Sequence, residues 1–242
     1  MFRPIYPPRT RAYEYCPLAV NIYDSCPHGC TYCYARAMAK RFGRPWGNEV
    51  NPRPGIVEAV QKQLVGMRGQ GKKIMLCFTC DPYPLGYTKA GRRINTTATR
   101  EVIRAIKESG NHVQILTKGH MKDAQRDFDL LDENDKFGVT LTGASWEDEP
   151  GAVNVEARIR ILRKAAAADI GTWVSCEPVL DPAAVYAAIE SLDCVDMFHI
   201  GKLNHRKSNI DWHQFGHDVE ALCQRLGRNY YIKDDLRREM GE

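Results

Sequence analysis

At 242 residues, with 43% hydrophobic and 26% charged residues, the chain can bury a full core without disulfide staples, which excludes the cystine-framework and disordered classes. Its 34 basic and 30 acidic residues leave a net charge of +4, too small a bias to diagnose a nucleic-acid binder and compatible with an anionic ligand. No run of about 20 apolar residues occurs and the N-terminal MFRPIYPPRTR lacks the apolar stretch of a signal peptide, so the sequence predicts a cytoplasmic protein without a membrane span.

Residues 1–17 carry Pro4, Pro7, Pro8 and Pro17, which disfavour a helix or a central strand and predict an extended arm ahead of one domain over residues 18–242. Arg3, Arg9 and Arg11 interleave there with Tyr6, Tyr13 and Tyr15. That mixture suits phosphate and stacking contacts, and equally an arm packed on the domain. Beyond it, the apolar runs 18–23, 73–79, 112–117, 137–141, 172–176 and 195–200 read as buried parallel strands.

Helical faces separate them. Ile56, Val60, Leu64 and Met67 share one stripe, and Val102, Ile103 and Ile106 another ahead of Gly110. Val155, Ile159, Leu162 and Ala166 make a third, and Val185 with Ile189 follows an Asp181-Pro182 start. Trp212, Phe215, Val219, Leu222 and Leu226 form the last before Gly227, and residues 230–232 read as a further short strand. About six βα units predict a parallel sheet, doubly wound or curled into a partial barrel, with ligands at the C-terminal strand ends.

Nine cysteines are many for a reducing compartment and point to metal or reactive thiols. Cys26, Cys30 and Cys33 form a C-x3-C-x2-C loop directly after the first predicted strand, with Pro27 and Gly29 suited to the turn. Three thiolates can surround one centre and leave one coordination position unclaimed. A zinc site is the alternative, completed by His28 or by Cys77 and Cys80. Cys16, Cys176, Cys194 and Cys223 show no ligand spacing, and neither do His199, His205, His213 and His217.

With Tyr32 just before the last cysteine, the loop resembles the signature of the radical S-adenosylmethionine (SAM) superfamily. Cys33-Tyr34, Thr79-Cys80-Asp81-Pro82-Tyr83-Pro84 and Leu116-Thr117-Lys118 resemble its spore photoproduct lyase-like branch. The resemblance implies a partial (β/α)6 TIM-like barrel of the radical SAM type. It implies a [4Fe-4S] cluster on Cys26, Cys30 and Cys33, and S-adenosyl-L-methionine on the fourth iron. The implied reaction is reductive cleavage of that cofactor to a 5′-deoxyadenosyl radical, with an electron donor such as flavodoxin or ferredoxin. The implied substrate is a nucleobase in DNA or a nucleotide; a peptide or small metabolite is the alternative. The lyase has a longer region ahead of its cluster loop, a departure that bears on lesion repair and not on the radical chemistry.

The strand-end rule then selects Thr79, Cys80 and Asp81, Lys118, Thr140 and Thr142, Ser175 and Glu177, and Lys202 with Asn204. Asp81, Lys118 and Glu177 offer charges for the ammonium and carboxylate of the cofactor, and Thr79, Thr140 and Ser175 offer polar groups for its hydroxyls. Tyr32 is expected against the adenine. Each has a plainer reading as well: a turn cap for Asp81, a solvated loop charge for Lys118, a strand end for Glu177 and loop support for Tyr32. Cys80, with Tyr34, is the candidate catalytic pair that returns a hydrogen atom to the product radical. The lyase's donor cysteine aligns with Phe78, and Cys80 lies on the same strand face two residues on; a small buried hydrophobe is its plainer reading.

Overall fold

In a computed structural model that describes residues 3–47, 49–87, 93–204 and 206–242, eight strands follow one another across a single sheet in chain order. They are β1 (Ile5–Tyr6), β2 (Ala19–Val20), β3 (Lys73–Leu76), β4 (His112–Thr117), β5 (Lys136–Thr140), β6 (Gly171–Cys176), β7 (Met197–Ile200) and β8 (Tyr230–Ile232). β1 runs antiparallel to β2, and every later pair is parallel. β1 and β8 do not pair with each other, so the barrel is partial and open. The six expected strand runs are all present; β8 adds a seventh parallel strand, and the arm supplies β1.

The intervening helices are α1 (Tyr34–Arg41), α2 (Ile56–Leu64), α3 (Thr97–Glu108), α4 (Met121–Arg126), α5 (Val155–Ala166), α6 (Pro182–Ser191) and α7 (Trp212–Arg225), and α8 (Asp234–Met240) ends the chain. Their starts follow local chemistry. Asn154, Asp181 and Asp211 accept hydrogen bonds from the Ala157, Ala183 and Gln214 amides, and Pro182 occupies the first turn of α6, where a missing N–H costs nothing.

Period-two alternation along the strands divides the core into two layers. Val20, Ile74, Leu76, Val113, Ile115, Val139, Val174 and Ile200 pack beneath the helices. The opposite face forms a smaller cluster of Cys16, Ala19, Met75 and Trp173, flanked by Tyr15, Leu116 and Met197, which fills the lumen. Trp173 donates its indole N–H to the Ile115 carbonyl at 2.9 Å. It fits because β5 has a glycine opposite: a Cβ on Gly138 would lie 2.3 Å from the indole nitrogen.

The proline-rich segment crosses the open side of the barrel. Gln63 grips β1 at both backbone groups of Ile5, at 2.9 and 2.7 Å. Farther along, the Arg11 carbonyl accepts from Lys233 at 3.0 Å, Arg11 pairs with Asp235 at 2.7 Å, and Glu14 accepts from the Asp234 amide at 3.0 Å. Tyr15 enters the lumen against Trp173 and His199, with ring centroids 5.7 and 5.2 Å away. The arm thus packs on the domain at these positions, while Arg3, Arg9 and Tyr13 are exposed. Arg11 and Tyr15 are engaged inside the fold and the Tyr6 hydroxyl accepts from Asn21 at 2.6 Å, because an open barrel with an unfilled lumen needs these groups itself. Among the described residues no helix is long and apolar enough to cross a membrane.

Candidate active site

The cysteine loop leaves β2 and is shaped by backbone that only small residues tolerate. Gly29 has φ of +67°, in the left-handed region, and a Cβ on Gly151 would come within 2.7 Å of the Pro27 carbonyl. Cys33 sits at the N-cap of α1, and its N–H donates to the Cys30 carbonyl at 3.2 Å. All three thiols are free.

Donor chemistry separates a cluster from zinc. Among the described residues, the group of His, Cys, Asp and Glu ligand atoms lying within 4.8 Å of one another is His112, Asp132 and Asp135. The three cysteines are therefore not drawn into the tight spacing of a tetrahedral zinc, whereas a cubane that gives each thiolate its own iron spreads them. His28, the extra ligand zinc would need, is 1% exposed and engaged. Its Nε2 accepts from the Leu85 amide at 3.4 Å, its Nδ1 lies 3.7 Å from Asp81, and burial lowers its pKa, so the ring is neutral. Cys80 in turn accepts from the Tyr23 amide at 3.4 Å. Three free thiols on one loop, with His28 engaged elsewhere, fit a [4Fe-4S] cluster. Without a metal, burial raises the pKa of Cys26, with Asp81 adding to it, and raises that of Cys30, with Lys118 opposing. Bound iron supplies the positive charge that holds such thiols as thiolates.

Lys118 stands at the end of β4 beside this loop. Its Nζ donates to the Tyr32 hydroxyl at 2.9 Å, lies 3.4 Å from Glu149 and 4.9 Å from the Tyr32 ring centre, and its charge acts on the Cys30 thiol. Glu149 also accepts from Tyr32 and Arg158, and Arg158 reaches the Thr140 carbonyl at 3.0 Å. Burial alone would lower the pKa of Lys118; Tyr32 and Glu149 outweigh it and hold the ammonium charged. Burial would likewise raise that of Glu149, which Lys118 and Arg158 bring below the usual carboxylate range.

Asp81 accepts from the Thr117 hydroxyl at 2.7 Å and from the Lys118 and Tyr83 amides at 2.8 Å each. It ties the end of β3 to the end of β4. Thr79 keeps an unengaged group: its amide donates to Asn21 at 2.8 Å, while its Oγ1 is buried without a partner among the described residues. Such an orphan beside the cysteine loop is what a ligand hydroxyl or carboxylate would satisfy.

On the far side, Ser175 and Glu177 are drawn inward. Tyr15 donates to Glu177 at 2.5 Å and lies 2.9 Å from the Ser175 hydroxyl. Lys233, 1% exposed, donates to Glu177 at 2.8 Å and sits 4.1 Å from the Tyr15 ring centre. A buried ammonium requires this counter-charge. Lys202 pairs with Glu239, and Asn204 donates to Asp235 at 2.6 Å.

Tyr34, 46% exposed, donates its hydroxyl to the Phe78 carbonyl at 2.5 Å, and burial of that hydroxyl raises its pKa. Cys77 is buried, and burial raises its pKa, with Cys80 adding to the rise. Sequence reasoning missed Glu149, Arg158, Tyr15 and Lys233. Lys233 follows β8 directly, where the strand-end rule would have found it; Glu149 and Tyr15 lie on irregular segments with no spacing signal. His205 lies outside the described residues.

Comparison with known proteins agrees with this geometry. The family model described as the radical SAM superfamily matches residues 20–182. An uncharacterized protein of Acidianus two-tailed virus is 27% identical over 244 residues, covering 93% of this chain and 76% of its own length. An uncharacterized protein of Methanocaldococcus jannaschii is 26% identical, covering 74% of this chain and 65% of its own. Among solved structures, spore photoproduct lyase complexed with dinucleoside spore photoproduct superposes with a TM-score of 0.66 at 13% identity, over 94% of this chain and 80% of that one. Streptococcus suis SuiB bound to S-adenosylmethionine gives 0.58 at 11%, over 88% and 46%. At these identities the structural likenesses show the fold.

Proposed function

This chain belongs to the radical SAM superfamily, and from that premise we propose that Cys26, Cys30 and Cys33 carry its [4Fe-4S] cluster and that the site takes hydrogen from a nucleobase in DNA or a nucleotide. When bound and reduced, the cluster and S-adenosylmethionine together supply a 5′-deoxyadenosyl radical capable of hydrogen abstraction.

The protein's own part is binding and aim. Lys118, charged and adjacent to Cys30, is the cation for the cofactor carboxylate, and Asp81 acts through the Lys118 amide as a positioning residue. The Thr79 hydroxyl offers the unengaged polar contact. Tyr32, braced by Glu149 and Lys118, walls the adenine side. Thr140 closes the wall beside Arg158, and Ser175 with Glu177 acts through Tyr15 to form the floor.

The observation that carries the substrate reading is the Tyr34 hydroxyl, which donates to the carbonyl of Phe78, two residues before Cys80. A phenol and a thiol this near in the chain support the return of a hydrogen atom to a product radical. Spore photoproduct lyase, whose structure is named for a bound dinucleoside, supports the nucleobase class by its shared fold. The rim adds contacts of its own. Trp146 is 74% exposed on the loop whose Asp148 holds Thr31, and Arg206 donates to that Thr31 at 3.0 Å. A ring for stacking and a cation for phosphate stand at the edge of the cysteine loop.

Cys80→Ala tests this reading. Given reduced protein and oligonucleotide, the variant is expected to cleave S-adenosylmethionine but to shift the nucleic-acid products to by-products or to inactivate itself. Identical product distributions in variant and wild type would return Cys80 to the role of a small hydrophobe.

A further inference from the structure

α1 packs on the barrel with its smallest side chains. Its buried residues are Ala35 and Ala39, whereas Tyr34, Met38 and the following Phe42 are 46, 44 and 60% exposed. Met38 and Phe42, four apart, form an apolar stripe beyond Tyr34, whose hydroxyl turns inward to Phe78. Arg36, Lys40, Arg41 and Arg44 are exposed around it, residues 34–45 contain no acidic side chain, and none of the four cations forms an ion pair among the described residues. Arg41 and Arg44 stand 6.0 and 5.7 Å from the Phe42 ring centre.

A surface helix normally turns its large apolar residues inward. Cations in the last turn complement the helix dipole, which accounts for Lys40 and Arg41. It accounts neither for Arg36 and Arg44 nor for the stripe. An apolar centre rimmed by one sign of charge is the composition of a transient protein interface. The helix also begins at Cys33, which is its N-cap.

We propose that this face docks an acidic one-electron carrier protein that reduces the cluster, an inference that rests on the assignment of the cluster to Cys26, Cys30 and Cys33. One electron leaves the reduced carrier and enters the oxidised cluster through the Cys33 side, with no bond or proton exchanged. A carrier whose redox centre is ringed by carboxylates covers both the cations and the stripe. A nucleic acid would engage the cations and leave Met38 in water.

The test uses the reconstituted protein and a reduced acidic flavodoxin. The variants are Lys40→Glu/Arg41→Glu/Arg44→Glu and the milder Lys40→Gln/Arg41→Gln/Arg44→Gln. Titration calorimetry is expected to show flavodoxin affinity reduced about tenfold or more by charge reversal, less by neutralisation, with the wild-type advantage shrinking at high salt. The rate of cluster bleaching by flavodoxin in anaerobic stopped flow should fall in parallel, while bleaching by dithionite stays at the wild-type rate. Wild-type affinity and flavodoxin-driven rate in both variants would overturn the docking face. So would a loss of oligonucleotide affinity with flavodoxin binding unchanged. A wild-type protein with no dithionite-reducible cluster would fail at the cluster assignment instead, and remove both.

Discussion

Each of Cys26, Cys30 and Cys33 is assigned a separate iron, so no one of them can be spared. Alanine at any of the three is expected to abolish the brown absorbance after anaerobic reconstitution, while Cys77→Ala retains it; retention of about four irons per chain in the triple variant would refute the ligand set. Lys118→Ala should weaken S-adenosylmethionine binding roughly tenfold to a hundredfold, as loss of one charge-assisted contact does, with iron content unchanged. His199 gives a pH signature. Burial and the nearby Lys233 push its pKa from 6.5 down to about 4. Above pH 6.5 both states are neutral, and as pH falls toward 4 the unfolded chain gains a proton that the folded chain refuses. That stability, on the order of 3 kcal/mol, is lost across this window. Urea unfolding of His199→Phe should show a flatter decline than wild type; equal slopes would exclude His199. The cysteines and Lys118 were legible because loop spacing and strand ends are local signals. Glu149 was not, because its role depends on Tyr32, 117 positions away in sequence.

Continuous apolar runs made the strands legible, but two elements escaped for physical reasons. α1 hides only alanines, so periodicity had no inward stripe to detect. The arm's function as a bridge depends on contacts such as Lys233 to Arg11, separated by 222 positions. A pattern search sees its prolines and not its partners. Gly138 in β5 is a testable element-scale requirement, since its missing side chain is where Trp173 lies. Gly138→Ala should cost about 1 to 3 kcal/mol by overpacking, read from the denaturant midpoint. A neutral result would mean that the indole has room to shift.

At the scale of the whole molecule, the open parallel barrel brings the cysteine loop, the ends of β3 and β4, and the Tyr34 hydroxyl to one mouth, while the arm and Tyr15 seal the lumen from the side. The most direct measurement is 5′-deoxyadenosine released by the anaerobically reconstituted, dithionite-reduced protein with S-adenosylmethionine, compared across DNA, RNA, nucleotide, peptide and small-metabolite pools. A radical enzyme acting on nucleobases predicts release by wild type, none by Cys30→Ala, and stimulation by a nucleic-acid or nucleotide pool. Stimulation by peptides or metabolites alone would contradict the nucleobase assignment, and absence of 5′-deoxyadenosine in every pool would contradict the cluster site itself.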